Sequence, residues 1–153
     1  QRELIISRKV NVSSQIRGKR VAVIDDSIVR GDTSRKVVKQ IREAGAKEVY
    51  LFITFPKIVA PCFYGIDMAT FSELIGFNRD EDEIARMIGA DAVCYQTIDG
   101  LVKATGLRKN ELCLGCLTCE YPTPLAQQMA DKVKQKVLAK EKEMGRIYET
   151  FEA

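Results

Sequence analysis

Two groups of side chains in this sequence have the types and spacing to do chemistry. The first is the run Asp25-Asp26-Ser27-Ile28-Val29-Arg30-Gly31-Asp32-Thr33-Ser34; the second is Cys113-x2-Cys116-x2-Cys119, with Cys62 and Cys94 far upstream of it. Adjacent carboxylates such as Asp25 and Asp26 can accept from two sugar hydroxyls or help hold a hydrated Mg2+. Gly31 lets the backbone close around an anion, and a helix beginning just after it offers free N–H groups and a positive dipole end, which suit a phosphate. Thr33 and Ser34 add hydroxyl donors. Phosphate at one end and a diol or metal at the other describe a sugar phosphate. The plainer alternative is that Asp25 and Asp26 solvate a strand end and that Thr33 caps a helix. Neither Gly-x4-Gly-Lys-Ser/Thr nor Gly-x-Gly-x-x-Gly occurs, which removes the P-loop and dinucleotide-fold rivals. The chain has no histidine, so His-based triads, His general bases and His metal ligands are excluded together.

Three thiolates within one turn-rich loop converge easily on one centre, so the cysteine triplet reads as a metal or cluster signal. Spacing alone does not separate zinc from iron–sulfur, since both take four thiolates. Cys94, in an apolar strand-like context, reads instead as a buried free cysteine. An odd count of five cysteines without a secretory signal fits a reducing compartment, and the cytoplasm is the expected location.

The elements that must position these groups follow from periodicity. Val21–Ile24 is a short continuous apolar run, as expected of a strand covered on both faces of a parallel sheet. From Ser34 the period changes, and Val37, Val38 and Ile41 form a helical stripe that Gly45 ends. Lys47–Phe55 reads as a second strand closed by Pro56. Strand, loop, helix and strand in so short a span form a βαβ unit with a right-handed crossover. Asp80 is placed to cap a helix carrying Ile84, Met87 and Ile88, with Gly89 after its end. Ala92–Tyr95 is a third strand, and Thr97 caps Ile98–Thr105, ended by Gly106. Leu4–Ile6 and Lys9–Val12 are weakly strand-like. Pro122–Pro124 opens a terminal helix from about Leu125 to Tyr148, with Met129, Val133, Val137 and Met144 on a thin apolar face that needs a partner surface.

At 153 residues the chain fits one modest domain, and 46% hydrophobic residues are enough for a core. No apolar run approaches the ~18 residues of a membrane span. The net charge of +3 is too small, and Lys/Arg blocks with interleaved aromatics too absent, to predict nucleic-acid binding. Gln1 in place of a start methionine is the expectation for a piece of a longer protein.

Val21-Ala22-Val23-Ile24-Asp25-Asp26 and the loop through Ser34 resemble the phosphoribosyl-pyrophosphate (PRPP) loop of the type I phosphoribosyltransferases. Asp-Asp-Ser-Ile-Val-Arg-Gly-x-Thr-Ser is similar in particular to the glutamine PRPP amidotransferase family. Further blocks extend that resemblance from about Gly18 to Pro124: Arg42–Val49, Pro61–Asp67, Ile88–Asp91, Cys113–Cys116 and Tyr121-Pro122-Thr123.

The resemblance implies an α/β fold, part of a type I phosphoribosyltransferase parallel sheet with a helical carboxyl-terminal extension. Residues 1–106 are then expected to form the later half of the transferase domain, and residues 107–153 the cysteine loop and terminal helix. The family makes 5-phosphoribosylamine from PRPP and glutamine or ammonia, the first committed step of purine synthesis. By that match Asp25 and Asp26 engage the ribose hydroxyls and Mg2+. Arg30, Gly31, Asp32 and Thr33 correspond to the cradle for the 5′-phosphate, largely through backbone N–H groups, and Ser27 and Ser34 are expected beside them in binding PRPP or a purine nucleotide. No side-chain nucleophile is expected. The family usually has Thr where this chain has Asp32, and a desolvated carboxylate facing a phosphate would cost several kcal/mol; Asp32 is therefore expected to point outward or cap the helix. In its iron–sulfur branch the family carries a four-iron, four-sulfur (4Fe-4S) cluster. The ligands there match Cys62, Cys113 and Cys116, with a fourth upstream of this segment; Cys119 is a spectator or a substitute fourth thiolate. The glutaminase and the first part of the transferase domain are missing partners, a homo-oligomer is expected, and this chain alone is expected to be inactive. The alternative is a non-catalytic nucleotide-binding, PRPP-binding or iron–sulfur regulatory module.

Overall fold

The computed structural model describes residues 14–68 and 70–139. Arg20–Asp25 forms β1, Glu48–Ile53 forms β2 and Ala92–Tyr95 forms β3. They make a 3-stranded parallel sheet in the order β1-β2-β3, in which Val23 pairs with Leu51 and Asp25 with Ile53, and Leu51 in turn with Val93. The β-branched and aromatic residues of these segments suit a pleated surface. The α/β class expected from the sequence is what is seen.

Two helices connect the strands. The helix α1 (Asp32–Glu43) follows β1 and buries Ser34, Val38 and Ile41. The helix α2 (Glu81–Ile88) precedes β3. Its Asp80 carboxylate accepts from the Glu83 N–H at 2.7 Å, and the Glu83 carboxylate accepts from the Asp80 N–H at 3.0 Å, so two otherwise unpaired donors at the helix start are satisfied. Ile84, Ala85 and Ile88 of α2 join Val38 and Ile41 of α1 over Val49, Leu51, Ile53 and Val93, which places both helices on one face of the sheet. Burying each of the larger apolar side chains contributes about 1.5–3 kcal/mol.

The opposite face departs from expectation. Ala22, Ile24, Phe52 and Cys94 are exposed, with Ile24 at 74% and Phe52 at 44%, because no helix among the described residues lies over that side. The apolar run of β1 is therefore covered on one face only, and Cys94 is not the buried thiol its neighbours suggested.

Between β2 and α2 the chain is irregular, held by cations on carbonyls. Arg79 Nη1 donates to the carbonyls of Leu74 and Ile75, each at 3.2 Å, and Lys57 Nζ donates to that of Arg79 at 3.1 Å while pairing with Glu81. After β3 come α3 (Ile98–Thr105), whose first turn donates from the Gly100 N–H to Thr97 Oγ1 at 2.9 Å, the short α4 (Gly115–Thr118) and α5 (Pro124–Leu138). The partner surface that the terminal helix needs is within this chain: Val133 packs with Ala60 and Phe71, and Ala126, Met129 and Ala130 are buried too. The Tyr148 end of that helix, Met144, and the strand-like Leu4–Ile6 and Lys9–Val12 lie outside the described residues.

Candidate functional site

The run singled out in the sequence folds as a concave loop between β1 and α1. Asp25 ends β1, Asp26 through Arg30 form the turn, and α1 starts at Asp32, two residues before the Ser34 expected. A cavity of about 290 Å³ is lined by residues Asp25 to Ser34. It sits at the carboxyl end of the parallel strands, where ligands of open α/β sheets bind.

Gly31 makes the turn possible. Its φ of 81° is left-handed, and a Cβ there would stand 2.5 Å from Ile75 Cδ1. The Ile75 N–H donates to the Val29 carbonyl at 2.9 Å, so a residue from the irregular segment forms the floor of the loop. Sequence reading missed Ile75, and no local signal marks it. The Gly31 carbonyl takes the Arg35 N–H at 2.9 Å and opens the helical ladder. The N–H groups of Asp32, Thr33 and Ser34 precede that ladder, and no hydrogen bond among the described residues takes them. Thr33 caps nothing: the helix has no side-chain cap.

Each acid of the pair has one oxygen engaged locally. Asp25 Oδ1 accepts from the Asp26 N–H at 3.0 Å; Asp26 Oδ1 accepts from the Ser27 N–H at 2.6 Å and from Ser27 Oγ at 3.3 Å. The second oxygen of each has no partner among the described residues, a donor set suited to a diol or to a hydrated Mg2+ that takes its other ligands from water and phosphate. Arg30, part of the cavity lining, is tied to the irregular segment: its Nη2 donates to Glu73 Oε2 at 3.1 Å and to the Asp67 carbonyl at 3.4 Å. Asp32 is held by Arg35 Nη1 at 2.8 Å and is 65% exposed, in keeping with the outward orientation expected for it.

A second cavity, of about 400 Å³ and mostly apolar, adjoins the acids at Asp26 and Ser27 and extends over Phe55, Ile58, Ile66 and Met68. Thr54 and Phe55 follow β2, whose Ile53 pairs with Asp25, so the β2 carboxyl end was the available pointer to this neighbour.

The cysteines divide. Cys62 and Cys116 are half-buried and Cys113 is exposed. Burial pushes the Cys116 thiol up, and the Cys62 and Cys113 thiols nearby push it further. Cys119 ends α4 with a left-handed φ of 63°, and burial raises its thiol as well, against the opposing influence of Lys134. Among the described residues no three Cys, Asp or Glu side chains gather into a group able to hold a metal ion. Cys62 and Cys113 lie near enough to act on Cys116, and Lys134 and Asp131 act on Cys119.

Comparison with known proteins places this geometry. No protein-family model matches the chain. Over 124 residues it is 54% identical to the amidophosphoribosyltransferase of Methanocaldococcus jannaschii, a match covering 80% of this chain and 26% of that protein. It is 45% identical over 134 residues to the amidophosphoribosyltransferase of Bacillus subtilis, covering 84% of this chain and 28% of that protein. A solved structure of the B. subtilis glutamine PRPP amidotransferase in complex with ADP and GMP superposes with a TM-score of 0.65 at 42% identity, covering 80% of this chain and 29% of that one. The chain thus spans about a quarter of the length of the curated relatives it matches. Shared sequence over most of its residues, and a shared fold at the same positions, make this chain a member of the amidophosphoribosyltransferase family, corresponding to one segment of those longer proteins.

Proposed function

We propose that residues Asp25–Ser34 bind the 5-phosphoribosyl group of PRPP, or of a purine nucleotide in its place, within an amidophosphoribosyltransferase. One observation carries the reading: the residues lining one concavity of about 290 Å³ bring together three N–H groups at the start of α1 and two carboxylate oxygens that have no partner among the described residues. The N–H groups of Asp32, Thr33 and Ser34 would take the 5′-phosphate, with the α1 dipole adding to the attraction. Asp25 and Asp26 would accept from the ribose hydroxyls and help hold Mg2+. The presence of ADP and GMP in the B. subtilis relative supports a nucleotide ligand.

In the reaction that this assignment implies, ammonia from glutamine attacks C1 of PRPP. The C1–O bond to pyrophosphate breaks, a C1–N bond forms, and the nitrogen loses a proton to give 5-phosphoribosylamine. Charge develops at C1 as in glycoside cleavage, so the contribution of these residues is to hold the ribose and its phosphate in place. Mg2+, when bound, supplies neutralisation of the leaving pyrophosphate. No histidine or side-chain nucleophile is required. Release of ammonia from glutamine belongs to the part of the relatives with no counterpart in this chain. A cluster ligand set of Cys62, Cys113 and Cys116 needs a fourth donor that the described residues do not supply, and no step passes through it.

Calorimetric titration of the chain with ribose 5-phosphate and with GMP, in the presence of Mg2+, tests the assignment. Loss of two charge-assisted hydrogen bonds in the Asp25→Asn/Asp26→Asn double variant should weaken binding by tenfold or more, since each is worth about 1.5–3 kcal/mol. Unchanged affinity in that variant refutes it.

A further inference from the structure

Asp32 poses an electrostatic conflict inside the loop. It stands in the first turn of α1 and lines the same cavity of about 290 Å³ as Asp25 and Asp26. The positive end of a helix attracts a carboxylate of its own chain as well as an external anion. An unrestrained aspartate can also fold back onto backbone N–H groups two residues on. Left free, the Asp32 carboxylate would repel a phosphate at the start of α1 and compete with it for the N–H groups that follow.

The carboxylate is not free. Arg35 Nη1 donates to Asp32 Oδ1 at 2.8 Å, while Arg35 Nε donates to the Met87 carbonyl at 3.1 Å. Met87 belongs to the last turn of α2, where carbonyls lack a partner within the helix. The guanidinium is therefore held at two points on two different helices. Further along α1, Arg42 Nη2 donates to the Gly89 carbonyl at 3.3 Å and to Asp91 at 2.6 Å. Two arginines of α1 thus clasp the carboxyl end of α2, and the packing of the two helices sets where the Arg35 charge stands.

We propose that Arg35 is a positioning residue for anion binding. Anchored on the end of α2, it neutralises the Asp32 carboxylate and holds it off the N–H groups of Thr33 and Ser34, which stay open to the phosphate of a sugar phosphate. The proposal rests on the functional reading above and adds to it a residue that acts through another. As a stabilising ion pair the contact is minor, because Asp32 is 65% and Arg35 42% exposed and such pairs contribute little. Its effect on a phosphate at the same helix end is larger, since losing the cation changes both the charge there and the freedom of the donors.

Calorimetric titration of the 153-residue chain with inorganic phosphate and, in the presence of Mg2+, with ribose 5-phosphate tests the role on four proteins: the parent, Arg35→Ala, Asp32→Asn and the double variant. Arg35→Ala should weaken both ligands about fivefold or more, with the far-UV circular dichroism and the urea midpoint little changed. Asp32→Asn should bind at least as tightly as the parent, and in that background Arg35→Ala should cost less than about twofold. Lys39→Ala removes another exposed cation of α1, paired with Glu43, and should leave both affinities unchanged. A loss in Arg35→Ala that persists undiminished in the double variant would mean that the guanidinium acts on the phosphate itself, and would overturn the inference. Unchanged affinity in Arg35→Ala, or an equal loss in Lys39→Ala, would overturn it too. Coupling of Asp32 and Arg35 towards inorganic phosphate, with no gain from the ribose and none of the dependence on Asp25 and Asp26, leaves the positioning role standing and removes the sugar-phosphate reading. Ribose 5-phosphate binding that needs Asp25 and Asp26 but shows no such coupling does the reverse. A parent chain that takes neither ligand removes both.

Discussion

Replacing Gly31 by Ala tests how the loop is built. Two effects act against the new methyl group. A left-handed conformation at φ 81° costs a residue with a Cβ about 1–2 kcal/mol. The added Cβ also meets Ile75 Cδ1 at 2.5 Å. That methyl is the far end of a side chain and can rotate, but Ile75 is only 2% exposed and its movement must displace core neighbours, so a further ~1 kcal/mol is reasonable. Gly31→Ala should then destabilise the chain by about 2–3 kcal/mol in urea denaturation. Ile75→Val removes the offending Cδ1 and alone should cost about 0.5–1.5 kcal/mol. In the Gly31→Ala background the same change should cost much less, because it also removes the clash, giving a coupling of about 1 kcal/mol in the double-mutant cycle. Strict additivity would refute the contact as the cause. An unchanged stability for Gly31→Ala would refute the loop geometry itself. Ribose 5-phosphate affinity, measured on the same four proteins, should fall with Gly31→Ala and recover in part in the double variant.

Three further outcomes follow from individual contacts. The Tyr95 hydroxyl is buried without a hydrogen-bond partner among the described residues, so Tyr95→Phe should leave stability unchanged or raise it by ~1 kcal/mol in chemical denaturation. Burial pushes the Tyr95 hydroxyl up to about 12, so the neutral form is favoured by folding; stability should hold below pH 10 and decline from there towards pH 12, and Tyr95→Phe should blunt that decline in a thermal-melt series. Asp91 accepts from the Val49 N–H and from Arg42 Nη2, both at 2.6 Å, and these hold its carboxyl below the usual carboxylate range. Its contribution is present above the ordinary aspartate value and lost as pH falls below about 4, so the melting-temperature gap between parent and Asp91→Asn should close in acid. Val133 is fully buried against Ala60 and Phe71, and Val133→Ala should cost about 1–3 kcal/mol and loosen α5, read by hydrogen exchange of its amides.

What was legible in the sequence was what local chemistry decides. The Asp80–Glu83 reciprocal cap, Thr97 before α3, and Gly89 and Gly106 after their helices gave element ends that the structure reproduces, because those signals act within a few residues. The helical stripe of Val38 and Ile41 was equally visible. What could not be read was decided at a distance. Arg30 is tied to Glu73, the loop floor is Ile75, and the irregular stretch between them and β2 hangs on Arg79 and Lys57. The continuous apolar run of β1 correctly signalled a parallel strand, but whether both its sides are covered depends on elements outside that run. Cys94 was misread for the same reason: its neighbours are apolar, yet the face it occupies is bare. The cysteine triplet carried spacing without direction, and the left-handed backbone at Cys119 sends that thiol towards α5 and Lys134.

The loop proposed as the phosphate seat has its foundation dozens of residues downstream, at Ile75, in a segment without regular structure. Without that segment in place, the loop would lack Ile75, which lies against Gly31 and whose N–H donates to the Val29 carbonyl. On the proposed reading, binding of a phosphorylated ligand would report order in that middle segment. A change at Ile75 would then disturb the loop while every residue that lines its cavity stays the same.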